Sequence, residues 1–582
     1  MKIVGFQSGH DVSYCILEDG VPILHEELER FTREKEPHGC GLKFFFDRNP
    51  DMTDIDGFAF GNRLQAGTDP FITIDKDSFN KAMIICKDNF IELDHHQTHA
   101  VNSFYTSKFE EAIIFTIDAG GNFSFNISPE TIKQNPEIFE QFKIPENSSF
   151  LTTVPETLTV FHGTYTPSGT AMKKVNKLTY VDRQPPNKVA IDRLNCVLGK
   201  KGADWDVLNL GLLWNQITQE VFGLSVGYPK GNQAGTVMAM ATMGTPKYVT
   251  MFSDPDITVP VDISRHPVFD TLKKIAQRSE QDGFDVAASL QKFTEDTFFK
   301  VIELHLEDYK HIENICFSGG VSLNCVMLAK IKKRFPWVKN VFCDPVPYDG
   351  GLSIGAARTM YHFVFGNPRV IDDNRNLSPY LGTSYSRKDI DSALQKNANK
   401  LTITTRDKKE VAQLLSQEKI IAVFGGGAES GRRALGNRSI LADPRSKTMK
   451  DTINQKVKHR QWYRPFAPSI LLEHTEEWFE DFYYSPYMSF APKFKEEKRD
   501  LVPAVVHFDG TGRLQTVDKD ISPWYHSFIE EWYKISGVPI VLNTSFNDRE
   551  PIVETPEHAV NCFLRTNIDY LYFYEHNLLV EK

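Results

Sequence analysis

Short apolar runs and polar turns alternate along the first 24 residues. Lys2 to Phe6 and Tyr14 to Leu17 flank the polar stretch Ser8-Gly9-His10-Asp11. Glu18-Asp19-Gly20 then turns the chain into Val21 to Leu24. This spacing predicts a hairpin with a following strand. A similar pattern returns at Ala112 as AIIFTID, then AGGN, then FSFNIS. Two β-turn-β openings about a hundred residues apart predict a duplicated α/β lobe. Each polar turn would end its first strand, where backbone N–H groups can face a phosphate or a carbonyl in the cleft between the lobes.

Residues 145–235 are rich in Thr, Pro and Asn and read as an insertion with few long elements. Val286 to Leu306 has helical apolar spacing, and Asn314 to Phe317 and Lys339 to Cys343 read as strands. SGGVSLN leads into a helix, and DPVPYDGG precedes the small-residue helix LSIGAARTM, whose glycine and alanines permit close backbone approach. Residues 366–386 hold two Pro, two Gly and several Asn, Asp and Ser, the composition of a linker. Beyond them the pattern gives a helix (Ile390 to Ala398), a strand (Leu401 to Thr405), a helix (Lys408 to Leu415) and a strand (Ile420 to Phe424) ending in Gly425-Gly426-Gly427. The expected division is 1–365, a linker over 366–386, and a second α/β unit over 387–582.

Composition narrows the class. The chain has 582 residues, a formal net charge of −10 and 41% apolar residues. That is enough for a large core, and the acidic balance disfavours broad non-specific nucleic-acid binding while leaving room for a local basic site. No run of about 18 uncharged apolar residues occurs, so no membrane span is expected. Eight cysteines lie scattered without a CxxC pair, and the start MKIVGFQSGHDVSYC has polar residues where a signal peptide needs apolar ones. Reduced thiols in the cytoplasm are the expectation.

Three clusters carry chemistry. In IELDHHQTHA, His95 and His99 are four apart and share a helical face that can grip one metal ion, while His96 points elsewhere. Asp118, ending an apolar strand, and Asp349, in PYDGG, are placed to complete the set; the alternative is a surface or helix-capping histidine pair. His10 sits with Asp11 in the first polar turn. ELERFTREK, with Lys35, reads on charge alone as a solvated helix. The stretch Glu429 to Arg464 holds ten Lys/Arg, among them Arg432, Arg433, Arg438, Lys458, Arg460 and Arg464, against three Asp/Glu, with glycines interleaved. Arginine forks and close-approaching backbone suit a polyphosphate or acyl-phosphate pocket. A nucleic-acid groove using Trp462, Tyr463 and Phe466, or a solvated basic face, remains open. Finally, VLNTSFNDREP crowds Asn543, Thr544, Ser545 and Asn547 at a strand end, where they can bind phosphate or a urea-like group, or cap a helix.

Together these motifs resemble the O-carbamoyltransferase family that includes the tobramycin, cephalosporin and nodulation-factor carbamoyltransferases. GHDVSYCILEDG, ELERFTREK, DHHQTHA, SGGVSLN, PYDGG, GRRALGNRSILADPR, KHRQWYRPFAPSIL, HFDGTGRLQTV and PIVLNTSFNDREPIVETPEHA carry the resemblance, from residue 9 to residue 559. It implies an actin–hexokinase-like first domain, similar to the tRNA threonylcarbamoyl-transfer proteins, and a YrdC-like open twisted α/β second domain. It implies that the second domain uses ATP with Mg²⁺ and carbamoyl phosphate to make carbamoyl adenylate. The first would then pass the carbamoyl group to an acceptor hydroxyl beside a bound metal, typically Fe²⁺, held by His95, His99, Asp118 and Asp349.

The resemblance ties His10 and Lys35 to the transfer site. It ties Arg432, Arg433, Arg438, Ser439, Lys458, Arg460, Arg464, Arg513, Asn543, Ser545 and Asn547 to nucleotide and carbamoyl phosphate. Because carbamoyl adenylate is hydrolysable and the 366–386 linker is short for exchange between distant domains, the domains are expected to share a closed channel, with SGGVSLN (Gly319, Gly320, Asn324) on one wall and NTSFN (Ser545) on the other. Two departures stand out. The usual GKVMGLA reads GTVMAMA, with Thr236 for Lys, and the usual FGPRALG reads SGRRALG, with Arg432 for Pro. The implied acceptor is a sugar, antibiotic or other small molecule, with a hydroxymethylated DNA base a minor possibility. The rivals are a sugar-kinase-like ATPase using the first domain alone, and a nucleic-acid-binding or RNA-modification accessory protein.

Overall fold

The computed structural model describes residues 1–62, 75–87, 89–127, 133–134, 150–166, 169–179, 209–252, 267–371 and 374–582. Its first half is built from one sheet pattern used twice. Strands β1 (Lys2–Gln7), β2 (Ser13–Glu18), β3 (Val21–Glu27), β4 (Gly57–Phe60) and β5 (Phe90–Glu92) line up in the order β3-β2-β1-β4-β5. The first three form an antiparallel meander, and β4 and β5 add in parallel beside β1. In the second sheet are β6 (Glu111–Ile127), β7 (Phe150–Thr166) and β8 (Gly169–Thr179). After a two-residue ribbon, β9 (Val226–Gly227) with β10 (Gly231–Asn232), come β11 (Asn314–Ser318) and β12 (Asn340–Cys343). Their order is β12-β11-β6-β7-β8, again a meander with two parallel additions. The duplicated lobe expected from the sequence is therefore present. Parallel neighbours demand crossover connections, and here helices supply them.

Two details differ from the expectation. Residues 112–127 are not strand, turn, strand, and Ser128 lies outside the described residues. β6 runs unbroken, and AGGN falls at a register shift between Ile117 and Gly121 against β7. A glycine pair that reads as a turn instead lets the strand bend, which leaves Asp118 at the irregularity. The insertion expected over 145–235 also contains two long strands, β7 and β8; residues 180–208 lie outside the described residues.

The two sheets meet through the helices His95–Thr106 and Leu352–Thr359. Gly355 makes that contact feasible, because a Cβ there would lie 2.2 Å from Thr98 O. The second half forms one eight-stranded sheet, in the order β13-β20-β19-β14-β15-β18-β16-β17. Its strands are β13 (Thr402–Thr405), β14 (Ile421–Phe424), β15 (Arg438–Ala442), β16 (Ala467–Leu471), β17 (Gln515–Val517), β18 (Ile540–Ser545), β19 (Tyr570–Phe573) and β20 (Leu578–Glu581). Fully buried Trp532, Phe528 and Ile529 pack its helix Pro523–Ser536 against the sheet.

Residues 366–386, expected as a linker, are closely packed where described. Buried Arg369 donates to the carbonyls of Phe104, Ser107 and Phe109, at and just beyond the end of the His95–Thr106 helix. Among the described residues no helix is long and apolar enough to cross a membrane.

Candidate functional site

Asp94 caps the helix His95–Thr106 by accepting from Gln97 N at 2.9 Å. The four-residue spacing then sets His95 and His99 edge to face on one side of the helix, with ring centroids 4.9 Å apart. His96 turns away, its Nδ1 2.7 Å from Thr159 Oγ1. Asp118 comes from the irregularity in β6, and its Oδ1 accepts from Ala119 N at 2.6 Å. Asp349 comes from the turn after β12. Asp118 Oδ2 lies 3.3 Å from His95 Nε2 and 3.2 Å from His99 Nε2. Asp349 Oδ1 lies 3.6 and 3.5 Å from the same two nitrogens. One ligand atom from each residue falls within 4.8 Å of all the others. Two imidazoles and two carboxylates converging on one buried point form a donor set suited to a divalent transition metal. His99 Nε2 is buried without a well-formed hydrogen-bond partner, as a ligand nitrogen would be.

The surroundings strengthen the set. Burial disfavours a charged His99, but Asp118 and Asp349 outweigh it and raise the imidazole to about 9. Burial also works against an ionised Asp118, yet His95 and His99 hold it well below the usual carboxylate range. Behind His99, Ser318 Oγ lies 3.5 Å from Nδ1 and donates to Asp344 Oδ2 at 3.2 Å. Asn102 Nδ2 and Val346 N donate to the other Asp344 oxygen. Asp344 was not singled out in the sequence, although it opens DPVPYDGG directly after a strand.

His10 lies beside this cluster. Its Nε2 is 3.5 Å from Asp349 Oδ2 and its Nδ1 is 3.1 Å from Asp11 Oδ2. The Asp11 hydrogen bond and then the Asp349 charge raise it to about 10. Gly319 and Gly320 abut the same point. Gly319 has φ +86°, and a Cβ on it would lie 2.2 Å from Ile117 O; a Cβ on Gly320 would lie 3.2 Å from Asp118 Oδ1. Asn324 is drawn elsewhere, capping the helix Cys325–Leu328 and exchanging two hydrogen bonds with Gln291.

The basic residues divide into three groups. Arg438 and Lys458 are buried and already hydrogen-bonded. Arg438 donates to the carbonyls of Gly425, Gly426 and Asn437, and Lys458 Nζ reaches Ser545 O, Asn547 O and Asn547 Oδ1 at 2.5–2.9 Å. Arg432 is paired with carboxylates of the first half, Asp11 at 2.5 Å and Glu36 at 2.8 Å.

The third group consists of Lys35, Arg433, Arg460, Arg464 and Arg513, whose side chains make no ion pair within 4 Å among the described residues. Burial lowers Arg460 and Arg464, and Arg464 depresses Arg460 further. Burial lowers Lys35 as well, with the charges of Arg464 and Arg432 adding to it against Glu29. Burial and the nearby Arg513 bring Arg433 down to about 9. Arg433 and Arg513 share a small cavity with Ser322, Leu323 and Asp344, so arginines face SGGVSLN across it. NTSFN does not line that cavity: Ser545 Oγ bonds Asn547 Oδ1, and Asn543 Nδ2 bonds Ala434 O, Ser469 Oγ and Gln515 Oε1. Ser439 Oγ accepts from Gly436 N at 2.9 Å. Half-buried positive charges that depress one another favour a polyanion between them. Thr236, where the resembling motif has lysine, is buried.

Residues 80–358 match the family model described as carbamoyltransferase N-terminus, and residues 412–582 match the one described as carbamoyltransferase C-terminus. Nodulation protein NolO of Bradyrhizobium diazoefficiens is 30% identical over 82% of this chain and 77% of its own length. Nodulation protein NolNO of Sinorhizobium fredii is 39% identical over 50% of this chain and 43% of its own. Among solved structures, HypF of T. kodakarensis is 13% identical, with a TM-score of 0.34, covering 65% of this chain and 49% of that one. The chain belongs to the carbamoyltransferase family, and it is a transferase enzyme.

Proposed function

We propose that this enzyme moves the carbamoyl group of carbamoyl phosphate, through carbamoyl adenylate, to the hydroxyl of a small-molecule acceptor. The observation that carries this reading is the adjacency of two unlike sites. One is a His₂Asp₂ cluster with His10 beside it, and the other is a set of half-buried cations; Arg432 joins them, since it pairs with Asp11 and its charge, like that of Arg464, acts on Lys35.

The balance of atoms sets the sequence. Water releases phosphate from carbamoyl phosphate and leaves carbamate. A carbamate oxygen attacks the α-phosphorus of ATP, and pyrophosphate departs. The acceptor hydroxyl then attacks the carbamoyl carbon, AMP departs and the hydroxyl proton is lost. Arg433, Arg460, Arg464, Arg513 and Lys35 suit the phosphate-bearing steps, since each developing charge there is anionic. ATP would enter with Mg²⁺. A divalent ion such as Fe²⁺, held by His95, His99, Asp118 and Asp349, would supply Lewis acidity towards the carbamoyl oxygen. Without an ion in the cluster, the Asp11 and Asp349 carboxylates hold His10 protonated; a divalent ion neutralising Asp349 would weaken that hold and leave His10 positioned to take the hydroxyl proton, with Asp11 fixing its ring. Gly319 and Gly320 let the SGGVSLN backbone pack directly against Ile117 and Asp118, which brings that segment up to the cluster. Burial of His95, His99, Asp118 and Asp349 limits the access of water from that side.

The experiment supplies labelled carbamoyl phosphate and ATP to the full chain with a panel of sugars, aminoglycosides and other alcohols, read by mass spectrometry. Label in one acceptor, dependent on ATP, is expected; label in none, with neither AMP nor pyrophosphate formed, would overturn the reading.

A further inference from the structure

We infer that Arg432 is a positioning residue for the transfer step: from the second half of the chain it fixes Asp11, and through Asp11 the ring of His10. The inference rests on the reaction proposed above. Arg432 lies on the glycine-rich loop that follows β14, yet its contacts lie in the first half. Its two terminal nitrogens meet Asp11 Oδ1 at 2.5 Å and Glu36 Oε1 at 2.8 Å, and its guanidinium lies 4.3 Å over the Tyr348 ring. The second oxygen of Asp11 is the one 3.1 Å from His10 Nδ1, so a single carboxylate joins the guanidinium to the imidazole. Asp11 and Glu36 both have left-handed backbone, at φ 51° and 53°. Non-glycine residues hold that conformation where surrounding contacts over-determine it, and Arg432 bonds both.

The loop does not depend on Arg432 for its docking. Arg30 donates to Glu429 O at 3.1 Å and Gly431 O at 2.6 Å, Gly431 N donates to Glu27 Oε2 at 3.0 Å, and His25 Nδ1 is 3.0 Å from Ser430 Oγ. Removing the guanidinium should therefore leave the loop in place while freeing Asp11 to rotate. His10 then loses its fixed partner, and the proton it must take is no longer aligned.

The test uses the full chain labelled with ¹⁵N-histidine, with the His10 ring signals assigned by His10→Gln. In Arg432→Met those signals should shift or broaden while the other histidines stay unchanged. Pyrophosphate release from ATP and carbamoyl phosphate should stay within about twofold of the parent, and transfer to the acceptor should fall roughly 10²-fold. Arg432→Lys, which keeps a charge near Asp11, should restore part of both effects. Should Arg432→Met fail to fold, Asp11→Asn cuts the same link from its other end and should move the same signals. Unmoved His10 signals would overturn the inference. So would loss of pyrophosphate release alongside transfer, because Arg432 would then be gripping phosphate. A parent enzyme that releases no pyrophosphate at all would instead refute the proposed reaction, and the His10 spectrum would still decide the role of Arg432.

Discussion

Asp349 and His10 face each other at 3.5 Å, through the carboxylate oxygen that does not point at His95 and His99. One side chain thus belongs to the ligand cluster and to the neighbourhood of the proposed base. Asp349→Asn should lower metal content and disturb transfer together, whereas His10→Asn should leave metal content unchanged and stop transfer. Elemental analysis of the purified variants, with His99→Ala as a metal-poor control, checks this. Equal metal in the parent and His99→Ala, or none in either, would count against the site.

Lys458 and Arg464 should separate stability from chemistry. Lys458 Nζ satisfies two buried carbonyls and the Asn547 side chain, so Lys458→Ala should cost about 2–3 kcal/mol of stability in addition to activity. Arg464 has no ion pair among the described residues, and burial alone already depresses its charge. Arg464→Ala should leave the melting temperature near the parent's and abolish pyrophosphate release. Thermal unfolding beside a pyrophosphate assay distinguishes the two.

Stability should also respond to pH through Glu554. Burial raises this carboxyl from 4.5 to about 7, against the opposing pull of Arg438 and Arg30. A group whose folded value is raised retains a proton that the unfolded chain gives up. Stability from this group is complete below about 4.5 and lost as pH rises to about 7, on the order of 3 kcal/mol in all. Glu554→Gln should flatten that decline. Melting temperatures of both proteins at pH 5 and pH 8 test it, and equal differences would contradict it.

The sheets and the histidine pair were legible because their periodicities are local. Short apolar runs bounded by polar turns gave β1, β2, β11 and β12, and the four-residue spacing gave the shared face of His95 and His99. AGGN misled because glycine marks a bend in a strand as readily as a turn between strands. The arginine stretch was legible in composition but not in use. Whether Arg432, Arg438 or Lys458 faces a phosphate, a carboxylate or a carbonyl depends on groups dozens to hundreds of residues away, such as Asp11 and Ser545. Arg438 and Lys458 are buried, so this stretch is not simply a solvated basic face. Lys35 carried no local signal, because its charge neighbours Arg464 and Arg432 come from the other half of the chain.

The central claim is a two-step transfer with adenylation at one site and acceptor attack at the other. It is tested most directly by following the nucleotide product and the carbamoyl label together in the parent and in His10→Asn. The account expects the parent to form AMP and pyrophosphate in step with labelled acceptor, and His10→Asn to release pyrophosphate while labelling nothing. ADP as the nucleotide product, or undiminished labelling by His10→Asn, would contradict it.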